Sequence, residues 1–189
     1  MSGKKSVIRL AILLGLICLS VACSGQTDEA NKLINEANGI LDKSRASSDK
    51  ADRLLNELVG ENLTKAEDAE TYKTDNQAKF DEAVSLSEQS EKSISEAAAK
   101  FEQASKLKVD DKFKEYLGLK AQEFKKRAER FKAVAGFVKT FLAEKDVEKT
   151  DQLIADNNKK EGGLVKEADD LGAKAEKIIR DNPSLFKLN

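Results

Sequence analysis

The chain has 189 residues, with 33 Lys and Arg against 34 Asp and Glu, and no His. A formal net charge of −1 excludes a general nucleic-acid binder, which would be strongly basic. The missing His excludes His-based acid–base catalysis, Ser-His and Cys-His nucleophile pairs, most zinc sites and the Glu-x-x-His di-iron pattern of helical bundles.

The first element is a leader. Lys4, Lys5 and Arg9 precede an apolar run from Leu10 to Leu19, which closes on Ser20-Val21-Ala22-Cys23. A charged start, an apolar run and a small residue before a cleavage point make a secretory signal. The uncharged stretch from Leu10 to Cys23 is 14 residues, short of the roughly 20 that a bilayer-spanning helix needs. With Cys23 directly after Ala22, the segment resembles the signal of bacterial lipoproteins. It departs from that pattern in having Ser20 where Leu is preferred, with Leu19 one place further out. The resemblance covers only the first 24 residues. It implies cleavage between Ala22 and Cys23 and acylation of Cys23 by palmitate-type lipid, making the membrane a partner through that lipid. Ser24, where an Asp would favour retention at the inner membrane, implies the outer membrane in a two-membrane source. In a single-membrane source it implies the outer face of the plasma membrane. Removing the leader leaves 30 basic and 34 acidic residues, and no cysteine but the lipidated one, so no disulfide is expected.

The expected division is a signal peptide at 1–22, a polar tether at 23–29, a helical bundle at 30–182 and a tail at 183–189. The mature part is rich in Ala, Glu, Lys and Leu, all good helix formers, and its single proline is Pro183. From about Ala30 to Val59, the residues Ala30, Ile34, Ala37, Leu41, Ser44, Ser48, Ala51, Leu55 and Leu58 alternate steps of four and three. This is the seam of helices packed nearly parallel or antiparallel. Gly60 predicts a stop. Thr64-Lys65-Ala66-Glu67 reads as a capping box that opens a second helix. Its seam runs Ala66, Ala69, Lys73, Asn76, Phe80, Ala83, Ser87, Ser90, Ile94, Ala97, Phe101 and Ala104, and it ends near Leu107.

Asp110 is the expected N-cap of a third helix. Its seam is Phe113, Leu117, Phe124, Ala128, Phe131, Ala135, Val138 and Leu142, widened by Phe137 and Phe141. For the last turn two sites compete. One is Glu144–Asp146, with a new register of Val147, Ile154, Leu164, Ala168, Leu171, Ala175 and Ile178; Gly162-Gly163 would then be a kink or local break. The other is the breaker-rich segment 156–163. The fold expected is all-α, an antiparallel up-down bundle of four helices, with an interchain coiled coil as the rival.

Three features bear on function. Lys120, Lys125, Lys126, Arg127, Arg130 and Lys132 crowd into four turns of the third helix. They form either a candidate surface for an anionic envelope partner or the counter-charge to neighbouring acidic helices. Seam residues such as Ser44, Ser48, Asn157 and Glu161 either fix register or line a polar cavity. The Phe stripe is core unless Phe137 and Phe141 are exposed. No catalytic, metal-ligating or cofactor-binding pattern stands out. The expectation is therefore a non-enzymatic, lipid-anchored module that interacts with an envelope protein or anionic envelope component. The alternative is a carrier with a small-molecule or lipid site between helices.

Overall fold

Heptad-like seams leave each helix with one apolar stripe that only another helix can cover. In the computed structural model of the chain, which describes residues 26–59 and 69–186, that is how the molecule is built. It is an all-α bundle of five helices among the described residues: α1 (Thr27–Val59), α2 (Ala69–Asp75), α3 (Gln77–Ser105), α4 (Asp111–Ala143) and α5 (Val147–Asp181). The signal segment, Gly60 and the Thr64–Glu67 capping box lie outside the described residues.

Helix α1 packs on α3, α3 on α4, and α4 on α5. Each pair is antiparallel. Lys100 meets Glu36 at 2.7 Å and Lys79 meets Glu57 at 2.9 Å, so α1 and α3 run past one another in opposite senses. Between α4 and α5 the partners are Lys126 with Glu167 and Arg130 with Glu161. The edge between α1 and α5 is not closed by comparable backbone packing.

Two apolar clusters hold the bundle. The larger joins Ile34, Ile94, Phe101, Phe113, Leu117, Phe124, Phe131 and Ile178. The smaller joins Leu58, Phe80, Ala83, Val138 and Phe141 near the other end. Small residues lie between them on α1 and α3. Ser48 Oγ donates to Ser90 Oγ at 3.0 Å, and Ser44 Oγ donates to the Leu41 carbonyl at 2.9 Å. The serines of this seam therefore let two backbones approach, and they fix register. Ser87 has no such role. Its Oγ is fully buried and has no hydrogen-bond partner among the described residues. A buried unsatisfied hydroxyl is destabilising. Ser87→Ala should raise the free energy of unfolding by about 1 kcal/mol, read as a higher urea midpoint. A lower midpoint would mean that the hydroxyl has a partner.

Four local expectations need correction. Helix α1 starts at Thr27, so Thr27–Glu29 belong to the helix and not to the tether. The second helix is interrupted at Asn76, whose Nδ2 donates to the Tyr72 carbonyl at 2.9 Å. That side chain competes with the backbone for the same acceptor, a common cause of local helix distortion. Gly162-Gly163 makes no break, for α5 runs unbroken from Val147 to Asp181. The tail is not free: Phe186 is buried, with its ring edge-on to Phe113 at 5.7 Å and to Tyr116 at 5.1 Å.

The last turn is at 144–146. Glu144 Oε1 accepts from the Lys145 and Asp146 backbone N–H groups, both at 3.0 Å. Asp146 then accepts from Lys149 N at 3.2 Å as N-cap of α5. Asp110 caps α4 as expected, accepting from Lys112 N and Phe113 N.

Candidate functional site

Five of the six clustered cations on α4 face carboxylates. Lys120 Nζ lies 2.6 Å from Glu123 and 4.7 Å above the Phe124 ring. Lys125 pairs with Glu102 at 2.5 Å, across to α3. Lys126 reaches Glu129 and Glu167, each at 3.0 Å. Arg127 lies 3.0 Å from Glu123 and 3.2 Å from Asp169. Arg130 is bidentate to Asp52 at 3.1 and 2.7 Å, and its Nε donates to Glu161 at 2.6 Å. It thereby joins α1, α4 and α5. Lys132 alone of the six has no ion-pair partner among the described residues, and it is exposed. The cluster works mainly as a set of bridges between helices.

Burial alone would pull the Arg130 guanidinium down. The hydrogen bond to Asp52 and the fields of Asp52 and Glu161 outweigh this and raise it. On Glu102, the hydrogen bond from Lys125, followed by that from Lys106, lowers the carboxyl from its usual 4.5 to about 2. A carboxylate depressed in the folded state adds stability above its unfolded pKa, and that share is lost as pH falls through the folded value. The bundle should therefore lose part of its stability between pH 4.5 and about 2. Glu36, lowered by Lys100, and Asp170, lowered by Lys166, act in the same sense. Glu102→Gln should flatten that limb of a melting-temperature profile. An unchanged limb would assign it to other carboxylates.

Two charges are buried among the described residues: Glu123, which the sequence reading did not anticipate, and Lys73, which stands at a seam position. Glu123 is 4% exposed. It fits because Gly172 on α5 has no side chain; a Cβ there would come within 3.2 Å of the Glu123 carboxylate. Lys73 is 5% exposed, and its Nζ donates to the Glu144 carbonyl at 2.5 Å while lying 4.8 Å over the Phe141 ring. A cation at a helix C-terminus is favourable, so Lys73 docks α2 on the end of α4.

The open part of the molecule is around the first half of α5. From Asp151 to Glu167 this helix buries no residue. Ile154 and Leu164, expected in the core, are only half-buried, and Val147 is 67% exposed. A groove of about 600 Å³ runs between α4 and α5, floored by Ala133, Gly136, Phe137, Leu153 and Leu164. A smaller space of about 210 Å³ lies behind it, between Leu55, Val134, Phe137, Ile154, Asn157 and Glu161. Phe137, half-buried, separates the two. Asn157 borders both spaces, so here seam polarity does accompany a cavity.

Among the described residues no group of three or more Cys, Asp or Glu stands together as a metal site, and no helix is long and apolar enough to cross a membrane. No family model matches the chain, and comparison with curated proteins and with solved structures returned no match.

Proposed function

We propose that the chain is a bacterial lipoprotein held to a membrane by lipid on Cys23, and that its bundle is a structural or envelope-interaction module and not an enzyme. One contact carries the reading of its geometry. Lys108 N donates to Gln26 Oε1 at 2.7 Å, which ties the start of α1 to the turn between α3 and α4. Only Ser24, Gly25 and Gln26 separate Cys23 from α1, at most about 14 Å of chain to Thr27. The end of the bundle that carries this turn would therefore sit against the membrane. The 33 residues of α1 then carry the other end about 50 Å away. The loosely packed part of α5 and its groove lie towards that far end, as expected of a module that presents a surface to something beyond its own membrane.

Ser24 supports placement in the outer membrane of a two-membrane source, or on the outer face of a plasma membrane otherwise. A photo-cross-linking residue at Lys145 or Glu148, exposed at the far end and outside the groove, tests the module in intact cells. Discrete adducts from these far positions, with lipid adducts from Lys112 at the near end, support it. Lipid adducts equally from both ends would sink it, because the bundle would then lie flat on the bilayer.

A further inference from the structure

We infer that the groove between α4 and α5 is a binding site for a single-chain anionic amphiphile, a long-chain carboxylate. This does not depend on the anchoring of Cys23.

Shape argues first. The groove extends from Glu129 to Thr140 along α4, three turns or about 16 Å. A volume of 600 Å³ over that length leaves a section of roughly 40 Å². A helix with its side chains, 10–12 Å wide, would stand about half out of it. An extended hydrocarbon chain would not. At roughly 30 Å³ per non-hydrogen atom, the space of a water molecule in the liquid, the groove takes on the order of 20 atoms. That matches one long acyl chain with its carboxylate.

Packing argues second. Leu153 and Leu164 belong to the apolar stripe of α5, yet they are half-buried and face the groove. Gly136 has nothing within 4 Å of where its Cβ would be, so the floor is open there. The stripe lacks an apolar partner over these turns, and an acyl chain supplies one.

Charge argues third. Lys132 of α4 and Lys160 of α5 border the groove from opposite helices. Both are exposed, and neither has an ion-pair partner among the described residues. Of the acids at the rim, Glu129 is paired with Lys126 at 3.0 Å; Asp156, which accepts from the neutral amide of Gln152 at 2.8 Å, keeps its charge, so two unpaired cations stand against one uncompensated carboxylate. Unpaired cations above an apolar trough select an anionic head.

The test uses the full chain in phosphatidylcholine vesicles and a diazirine-bearing palmitate analogue, with adducts mapped by mass spectrometry after illumination. Adducts should concentrate on residues 132–140 and 153–164. Gly136→Trp, which fills the floor, should reduce them at least tenfold at unchanged helicity. Lys132→Ala with Lys160→Ala should reduce them several-fold, as should replacing the probe by its methyl ester. Adducts spread evenly over all helices, or indifferent to Gly136→Trp, would overturn the site. Equal labelling by the ester would overturn the carboxylate assignment. A lysophospholipid probe that labels these residues as well as the fatty acid does would overturn the choice of a carboxylate head.

Discussion

Phe101→Ala will lower the free energy of unfolding by about 3–5 kcal/mol. Phe101 is 2% exposed and stacks on Phe124 with ring centroids 5.4 Å apart. It lies in the larger apolar cluster, where α1, α3 and α4 meet, so truncation removes transfer energy and leaves a cavity that long helices cannot collapse around. In a domain of this size each kcal/mol shifts the midpoint by about 2–4 °C, so the melting temperature should fall by about 10 °C. Phe137→Ala is the control. That ring is half-buried between two spaces, so its removal should shift the midpoint much less. Equal losses at the two positions would mean that the first half of α5 is as well packed as the α3–α4 interface.

Replacing Lys125, Lys126, Arg127 and Arg130 together by Gln will cost about 3–5 kcal/mol, nearly all of it from the two arginines. Lys125 and Lys126 make exposed pairs, which contribute little and are screened by salt. Arg127 compensates the buried Glu123, and Arg130 is the shared partner of Asp52 and Glu161 on two other helices. The double variant of Arg127 and Arg130 should therefore match the quadruple one in thermal melts, and the Lys125 and Lys126 double variant should be near wild type. If these cations formed a free surface for an anionic partner, the quadruple variant would melt normally and lose binding.

Much of the core was legible because its period is simple. Ala30, Ile34, Ala37, Ala51 and Leu58 of α1, and Phe80 to Ala104 of α3, are buried where steps of four and three place them. The turn at Glu144–Asp146 was legible as a change of register. It is made by carboxylates that bond backbone N–H groups, without Gly or Pro. Gly162-Gly163 looked like a breaker because each glycine costs about 1 kcal/mol in a helix. Fifteen helical residues before the pair and eighteen after it override that local cost. The burial of Glu123 was not legible, because nothing adjacent in sequence signals it. The signal is Gly172, 49 positions away and visible only once α5 lies on α4. Phe186 was missed because it follows Pro183, where periodicity stops, although its partners Phe113 and Tyr116 lie at the start of α4. The half-empty stripe of Leu153 and Leu164 has a core-like pattern, and only three-dimensional packing shows that nothing covers it.

Mass spectrometry of the N-terminal peptide from the native protein tests the central claim most directly. The account predicts a chain that begins at Cys23, with a diacylated thiol. A chain that keeps residues 1–22, begins elsewhere, or carries Cys23 as a free thiol would contradict it.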